Sequence, residues 1–468
     1  MRKIIFDSMI IVAAFLVTLT TTSCRENEYG TVDLSGWQPS VKPEEGIVYD
    51  HPVALYTKTD FARVKAALAD GTALDEVKKE FEALKTNTYT TGDYGVTVHA
   101  HEQIVRGDAT GTIEGKENYA DAMRDAAAAY QFGLLWQLTG DTQYADKGIK
   151  ILNTWATVCK EVTSNDSNNM LAAGAQGFTF ALAGEMLRDY ANWSENDFAI
   201  FCNWMVEVFS TKNYNFLMVH NGVTCGAGHY WSNWDLVNLC SYLQIGILTE
   251  NDDMVDFVIE YFARSGVGNG NINKLVLAEH TDPLGTGEKM CQNQESGRDQ
   301  GHASMSMAVT AQLCQVAWSL YQANPKYTDL DFFSLNDNAV LKMAEYVAMT
   351  NLKTGTDNAN AEGSWLCDFT KIPWTTVGPW CSGGSNHEAS TADEQFANDK
   401  GRGAPRPGWE IIYQHYKSQG IDGYRYSQMF ADKLRPEGGS GDGRYGHNSG
   451  AFDQIGWNTL MLLSLIHI

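Results

Sequence analysis

The sequence is poor in positive charge: 34 Lys and Arg stand against 57 Asp and Glu, which gives a formal net charge of −23. This balance excludes the positive field that grips nucleic acid, so we expect no nucleic-acid partner. The chain also lacks a phosphate-binding loop, a dinucleotide fingerprint, a GxSxG nucleophile elbow and an HExxH zinc motif. None of its nine cysteines forms a CxxC pair, so a cysteine zinc site has no support. We therefore expect neither a cofactor nor a metal.

The remaining composition is that of a globular protein, with 44% hydrophobic and 19% charged residues. It excludes a disordered or fibrous chain. Aromatic residues make up 11% of the sequence, and such rings suit a protein that stacks them on flat ligands.

The N-terminus has the pattern of a secretory signal. A basic start at residues 1–3 precedes an apolar run at 9–19, which is too short to span a membrane and is followed by small polar residues. A small residue directly before Cys24 resembles the bacterial lipoprotein box, so we expect 1–23 to be cleaved and Cys24 to carry lipid. This predicts anchoring in the periplasm or outer membrane, with the membrane as a partner, although secretion after a nearby cut is the alternative. Residues 24–50 contain prolines and glycines without a sustained period, which is typical of a linker.

Apolar residues recur three or four apart through most of the remaining chain, whereas strand-like alternation is scarce. The pattern predicts an all-α domain over 51–462, built as an α/α toroid, an incomplete barrel of antiparallel helix pairs with long active-site loops. An open solenoid is the alternative. Residues 463–468 coincide with a translated sequencing-adapter end and are a candidate non-native tail. The predicted helices span 60–69, 73–85, 120–138, 145–158, 170–190, 196–209, 233–248, 254–264, 300–321 and 339–349.

Long loops rich in Gly, His, Arg, Trp and Asn are predicted at 91–118, 266–298, 351–408 and 433–454. Loops of this length in a compact domain are usually functional. In the segment 294–302, Ser296 and Asp299 read as a capping box, and Arg298 and His302 are four apart on one helix face. An Arg and a His placed there could clamp and deprotonate an acidic substrate. The alternative is a capped surface helix with an ion pair.

Two further clusters hold chemistry-bearing residues. His220 and Asn221 precede a run at 228–235 that contains His, Tyr, Trp and Asn before an apolar helix, although structural histidines are the alternative. The third cluster, at 435–448, places a Tyr and a His beside arginines in a glycine-rich loop, which could equally be a solvated loop. His99 and His101 alternate as on a strand, but no third metal ligand accompanies them.

Several of these motifs together resemble the alginate lyase superfamily. They are QESGRDQGH at 294–302, SNWDL at 232–236, GVGNG at 266–270 and RPGWE at 406–410, with further matches upstream at 105–107, 139–146 and 176–178. The form is closest to a bacteroidal branch, polysaccharide lyase family 38. The resemblance implies an α/α toroid with a cleft, and cleavage of a 1,4-linked polyuronate, alginate or glucuronan, by β-elimination.

The resemblance also implies roles for individual residues. Such an enzyme neutralises the substrate carboxylate, removes the C5 proton and protonates the departing O4. Asn221 and Arg298 are expected to neutralise the carboxylate, with His229 or His302 as base and Tyr445 as acid. Met305 stands where better-known members have Tyr, and Tyr230 is a second candidate for that role. The expected sugar-binding residues are Arg106, Gln176, His220, Tyr230, Trp231, Asn233, Glu295, Arg444 and His447.

Electrostatics supply a further expectation, because a chain this acidic needs a local positive groove to bind a polyanion. We expect Arg106, Arg298, Arg435 and Arg444 to converge on one groove, and Trp231, Trp374 or Trp380 to be sugar platforms. Two rival interpretations stay open. One is a glycoside hydrolase that uses paired carboxylates on the same toroid, and the other is a surface lipoprotein that binds glycan without cutting it.

Overall fold

The computed structural model describes residues 46–108, 113, 116–219, 230–266, 268–354, 364–375, 397–445 and 452–463. The signal segment, most of the linker and most of the candidate tail lie outside this range. The helices are α1 Lys58–Asp70, α2 Asp75–Lys85, α3 Thr88–Thr91, α4 Tyr119–Thr139, α5 Thr142–Val158, α6 Asn168–Leu187, α7 Glu195–Trp204, α8 Thr211–Val219, α9 Ser232–Leu248, α10 Asp252–Ile259, α11 Ile272–Leu275, α12 Gln300–Ala323, α13 Leu335–Asn351, α14 Trp409–Ser418, α15 Arg425–Leu434 and α16 Asn458–Leu462. Single π-helical turns extend α7 to Ser210 and α10 to Ser265.

Side-chain caps determine where many helices begin. Asp141 accepts a hydrogen bond from the backbone of Gln143 at the start of α5, and Asn251 accepts one from Met254 at the start of α10. Such caps satisfy amide groups that have no partner inside the helix. At the far end of α4, Gly140 adopts a left-handed conformation with φ of 75°, which closes the turn into α5. Each of the ten predicted helices is present, within a few residues of its predicted limits.

Four long helices, α4, α6, α9 and α12, and the shorter α14 form an inner row in which each packs against the next. They run parallel, because contacts between neighbours advance in the same direction along both helices. Gly174 and Gly177 of α6 lie against Val237 and Ser241 of α9, and corresponding contacts join α4 to α6 and α12 to α14. Contacts between α9 and α12 follow the same order. Ser232 Oγ lies 3.1 Å from Ser306 Oγ, and further towards the C-terminus of both helices Cys240 Sγ contacts the Val309 carbonyl. Their N-terminal ends therefore lie on one face of the protein.

The row closes into a ring through short α16, which packs against α14 on one side and against α1 and α2 on the other, while α1 packs against α4. Outer helices α5, α10 and α13 pack outside α4, α9 and α12. This arrangement confirms the predicted all-α toroid built from antiparallel helix pairs.

An extended strap, residues 46–57, crosses the ring near the C-terminal ends of the inner helices. The backbone carbonyl of Val53 accepts a hydrogen bond from Gln244 of α9, and that of Leu55 accepts one from Gln315 of α12. Tyr56 is fully buried, and its hydroxyl donates to Asn458 Oδ1 at 2.8 Å. The strap thus fills the interior of the ring at that end.

Some elements were not anticipated. The predicted loop 266–298 contains an antiparallel hairpin of β3 Val276–Thr281 and β4 Lys289–Asn293, and two short strands, β1 Gln103–Val105 and β2 Glu161–Thr163, pair in parallel. The prediction that 266–298 lacks regular structure is therefore wrong. Within the described residues, six cysteines are free and buried, namely Cys159, Cys202, Cys240, Cys291, Cys314 and Cys367. No described helix has both the length and the apolar character needed to cross a membrane.

Candidate active site

The N-terminal ends of the inner helices bring several of the predicted residues together. Arg106 lies against Tyr119 at the start of α4, Trp231 is the N-cap residue of α9, and His302 lies in the first turn of α12. Helix N-termini carry partial positive charge and unpaired amide groups, which favour an anion nearby. A locally positive face can therefore exist on a chain whose net charge is −23.

Asp299 and His302 form a hydrogen-bonded pair. Asp299 is the N-cap of α12: one carboxylate oxygen accepts from the His302 backbone amide at 2.8 Å, and the other lies 2.7 Å from His302 Nδ1. Burial acts to raise the pKa of Asp299, but the hydrogen bonds and charge of His302 outweigh it and lower that pKa. An ionised Asp299 thus holds the proton on Nδ1 and leaves Nε2, on a side chain 34% exposed, as the basic nitrogen.

The prediction that Ser296 and Asp299 form a capping box is wrong. Ser296 lies in a 3₁₀ turn, Gln294–Gly297, and its hydroxyl donates to Asn293 Oδ1 at 2.8 Å. The extra turn delays the helix, so Asp299 and not Ser296 is the residue that caps it. Arg298 consequently precedes the helix instead of sharing a helical face with His302.

The charges of Arg298 and His302 nevertheless act on the same buried carboxyl group, that of Glu295. Arg298 Nη1 lies 3.8 Å from Glu295 Oε2 without forming a hydrogen bond, and its guanidinium lies 5.6 Å from the centre of the Trp231 ring. Burial raises the pKa of Glu295, and the charges of Arg298 and His302 oppose that rise. Glu295 Oε1 also accepts from the Asn233 backbone amide at 3.1 Å, which links this group to α9.

A second group, which the sequence analysis missed, adjoins His302. Asp453 is 6% exposed, and the charges of Arg106, Arg406 and His302 all act on its carboxyl. Burial raises the pKa of Asp453, while those three charges oppose the rise. Arg406 Nη1 lies 3.9 Å from Asp453 Oδ2 and donates to Gln454 Oε1 at 2.8 Å. Arg406 lies in the motif RPGWE, which was the one feature of the sequence that pointed to this residue.

Three other predicted residues have hydrogen-bond partners other than Arg298 and His302. Tyr445 donates its hydroxyl to the Glu437 carbonyl at 2.8 Å, and burial together with the charges of Glu437 and Asp442 raises its pKa well above the ordinary value. Arg444 donates to the Leu434 carbonyl. Arg435 binds Glu410 at 2.5 Å.

The predicted groove of four arginines is therefore wrong in half of its members. Arg435 and Arg444 are held by local partners near the end of α15, because the turns that follow that helix fold back on it. The charges of Arg406 and Arg106 act together on the carboxyl of Asp453 instead. Trp374 makes edge contacts with Tyr346 and Phe369 and is half-buried, and its role as a platform stays a prediction.

Gln176 of α6 lies in the interior at 1% exposure, and neither polar atom of its side chain has a hydrogen-bond partner. It lines a cavity of about 10 Å³ together with Met123, Ser440 and Phe452. A cavity of that size holds about one water molecule, which could satisfy the amide. Tyr230 stacks on Trp234 with ring centres 4.8 Å apart, and its hydroxyl donates to Ser167.

Four of the predicted site residues, His220, Asn221, His229 and His447, lie outside the described residues, as does Trp380. Their roles stay predictions. In the part of the chain that the structure describes, no group of three His, Cys, Asp or Glu side chains is arranged to hold a metal.

Comparison with known proteins agrees with the resemblance drawn from the motifs. The family model described as alginate lyase matches residues 66–274. The chain resembles alginate lyases. The matched segment includes Arg106, Gln176 and Asn233, and it ends before Arg298. A comparison with curated proteins finds no match.

Solved structures with partial similarity are also alginate lyases. Alginate lyase A1-III from Sphingomonas species A1 is 16% identical, with 66% of this chain and 81% of that chain covered and a TM-score of 0.45. An alginate lyase from Bacteroides ovatus is 12% identical, with 69% and 88% covered and a TM-score of 0.46. A histidine-to-alanine variant of A1-III complexed with tetrasaccharide is 14% identical, with 66% and 79% covered and a TM-score of 0.44. Because these TM-scores lie below 0.5, the description of the fold rests on the helix packing given above.

Proposed function

We propose that the protein is a polysaccharide lyase that cleaves alginate, or the related polyuronate glucuronan, by β-elimination. The observation that carries this proposal is the convergence of Arg298 and the Asp299–His302 pair beside the N-termini of the inner helices. The match of residues 66–274 to the alginate lyase family supports it.

The reaction begins with the substrate carboxylate, whose negative charge makes the neighbouring C5 proton weakly acidic. Arg298, together with the helix N-termini, would neutralise this carboxylate and stabilise the charge that develops as the proton leaves. Glu295 positions Arg298, because the two lie 3.8 Å apart. The predicted contribution of Asn221 would add to this stabilisation.

His302 would take the C5 proton through Nε2, since Asp299 holds the other ring nitrogen in its protonated form. The electrons of the broken C–H bond form a C4–C5 double bond, and the C4–O4 bond breaks. The proton now on His302 is available to the departing O4, so one residue can serve both steps. Tyr445 and His229 remain the predicted alternatives for proton transfer.

The first test is incubation with alginate and, separately, with glucuronan, while ultraviolet absorbance is followed at about 235 nm, where the conjugated product absorbs. We expect absorbance to rise, and His302→Ala to abolish most of the rise. Arg425→Met serves as the matched control, since Arg425 is exposed and stacks on Tyr426 away from the site. Reducing ends without absorbance would support the hydrolase instead. Glycan binding without either product would support the non-catalytic lipoprotein.

We also propose that the mature protein is lipid-anchored through Cys24 in the periplasm or outer membrane. The apolar run at 9–19 and the small residue before Cys24 support this. Labelled fatty acid should enter the wild-type protein in bacterial cells and be absent from Cys24→Ala. Equal labelling of both would contradict the proposal.

A further inference from the structure

The motif GVGNG at 266–270 has no part in the proposed reaction, yet it packs against the start of α9. The Gly270 amide donates to Asp235 Oδ2 at 2.9 Å, and the Tyr261 hydroxyl donates to the same oxygen at 3.2 Å. A Cβ added to Gly268 would overlap the Asp235 carboxylate, and one added to Gly270 would lie 2.5 Å from Asp235 Cβ. Only residues without a Cβ allow the loop to lie this close to the helix.

Asn269, between these two glycines, extends the contact to the residue before the helix. Its Nδ2 donates to the Tyr230 carbonyl at 2.6 Å. The side chain of Tyr230 is also held, since its hydroxyl donates to Ser167 and its ring stacks on Trp234. Tyr230 directly precedes Trp231, the N-cap residue of α9. Because a peptide unit is planar, a bond that holds the Tyr230 carbonyl also holds the backbone amide of Trp231.

Trp231 in turn orients Arg298. The guanidinium lies over the Trp231 ring at 5.6 Å from its centre, within the distance of about 6 Å at which an indole face attracts a cation. Its Nη1 lies 3.8 Å from Glu295 Oε2 without a hydrogen bond. A charge contact of that length does not fix the plane of a guanidinium. The indole ring therefore supplies the surface that does.

The segment that carries Arg298 is tied to the same helix from the other side. Gln294 Oε1 accepts from the Ser232 amide at 3.0 Å, and Glu295 Oε1 accepts from the Asn233 amide at 3.1 Å. These side chains satisfy amides in the first turn of α9 that have no partner inside the helix. The backbone before Arg298 and the first turn of α9 thus keep one relative position, which leaves the indole at the N-cap as the adjustable part.

We propose that Asn269 is a positioning residue for the lyase reaction. Through the peptide between Tyr230 and Trp231, it places the indole against Arg298 and so sets the direction in which the guanidinium meets the substrate carboxylate. This inference rests on the proposed function for the role of Arg298. Direction matters because a guanidinium binds a carboxylate best when two parallel hydrogen bonds can form. Loss of the Asn269 contact should therefore slow the reaction without removing a group that touches the sugar.

Fluorine NMR of the full chain labelled with 5-fluorotryptophan tests the positioning itself. The Trp231 resonance is the one absent from Trp231→Phe, and Arg298→Met should shift it because the cation leaves the ring face. In an Asn269→Ala background, we expect this Arg298-dependent shift to fall to less than about half of its wild-type size, as for two coupled contacts. Asn269→Asp, which keeps the shape of the side chain and loses the donor, should behave like Asn269→Ala.

Asn192→Ala is the matched control. Asn192 is exposed, its Nδ2 donates to the Tyr190 hydroxyl at 2.9 Å, and it lies in the turn after α6, at the C-terminal end of the inner helices. In this background the Arg298-dependent shift should keep its wild-type size. A general loss of stability alone would not reduce the shift in one background and spare it in the other.

The kinetic test is a double-mutant cycle on alginate. Asn269→Ala should lower kcat/KM by about tenfold, less than the roughly 10²-fold that a displacement of ~1 Å can cost, and Trp231→Leu should lower it by at least as much. Because Asn269 acts through Trp231, the double variant should lie within about twofold of Trp231→Leu alone. Asn192→Ala should keep the wild-type kcat/KM.

A full Arg298-dependent shift in Asn269→Ala would overturn the proposal, and so would a further loss of about tenfold in the double variant, which is the sign of independent contributions. Failure of the proposed function is a separate result. If the wild-type protein forms no unsaturated product from any polyuronate, the lyase reaction is refuted, while the fluorine spectra still decide whether Asn269 places Trp231 against Arg298.

Discussion

Three buried carboxyl groups meet at the seam where the ring closes. Glu80 of α2, Glu410 of α14 and Glu437 are all at 0% exposure, and Glu80 accepts from the backbone amide of Leu460 in α16. Among the described residues, Arg435 is the cation in contact with them, through Glu410 at 2.5 Å. One arginine cannot neutralise three carboxylates, so the seam depends on protons.

Glu437 is the group whose protonation changes within an accessible pH range. Burial raises its pKa from 4.5 to about 8, although hydrogen bonds from Asn458 at 2.5 Å and from the Gly408 amide at 3.1 Å oppose the rise. A carboxyl with a raised pKa contributes its full stability below pH 4.5 and loses it as pH rises towards 8. At about 1.4 kcal/mol per pH unit, the free energy of unfolding falls by on the order of 4 kcal/mol between pH 5 and pH 8.

Glu437→Gln should remove most of this dependence, because an amide resembles the protonated carboxyl and does not ionise. The assay is urea denaturation from pH 5 to pH 9 for wild type and variant. Glu82→Gln, at an exposed position on α2, is the control and should follow wild type. The slope of the free energy of unfolding against pH is the decisive quantity. The new amide nitrogen could face the donor of Asn458 or of Gly408, which would lower the stability of the variant by the same amount at every pH and leave the slope unaffected. An unchanged slope in Glu437→Gln would falsify the argument.

Three further outcomes are expected. Asp299→Asn should lower kcat on alginate by roughly 10²-fold with little change in KM, because the proton is no longer held on His302 Nδ1 while no sugar contact is removed. An unchanged kcat in steady-state assays would contradict the assigned pair. Gly268→Ala should destabilise the protein by about 1–3 kcal/mol, because the added Cβ would overlap the Asp235 carboxylate; thermal unfolding measures it, and a loss near zero would be inconsistent with the packing. Burial lowers the pKa of His51, but nearby carboxylates outweigh it and raise that pKa to about 9. The protonated His51 therefore contributes stability that is complete below pH 6.5 and lost as pH rises towards 9. In His51→Gln, the free energies of unfolding at about pH 6 and about pH 9.5 should differ less than in wild type.

The helices could be predicted because their signals are local. Apolar residues three or four apart define one face of α2 or α5, and caps such as Asp141 lie within three residues of the amides they satisfy. The hairpin at 276–293 escaped prediction since it lies in a Gly-rich stretch, where the pairing of β3 with β4 decides the conformation.

The site residues also separate into those that local sequence predicts and those that only the fold brings together. Arg298, Asp299 and His302 are adjacent in sequence, so their grouping could be predicted, although the 3₁₀ turn changed which residue caps the helix. Arg406 and Asp453 are brought together only when α14 and the segment before α16 complete the ring. No local spacing encodes such a contact, which is why the second arginine group was found from the structure.

The strap at residues 46–57 limits the path that a bound polymer could take through the ring. Leu55 and Tyr56 are fully buried in the ring, and side chains of α9 and α12 bind the strap backbone. A polymer held near Arg298 therefore has no exit through the centre of the toroid. Both ends of such a polymer would therefore leave on the face by which it arrived.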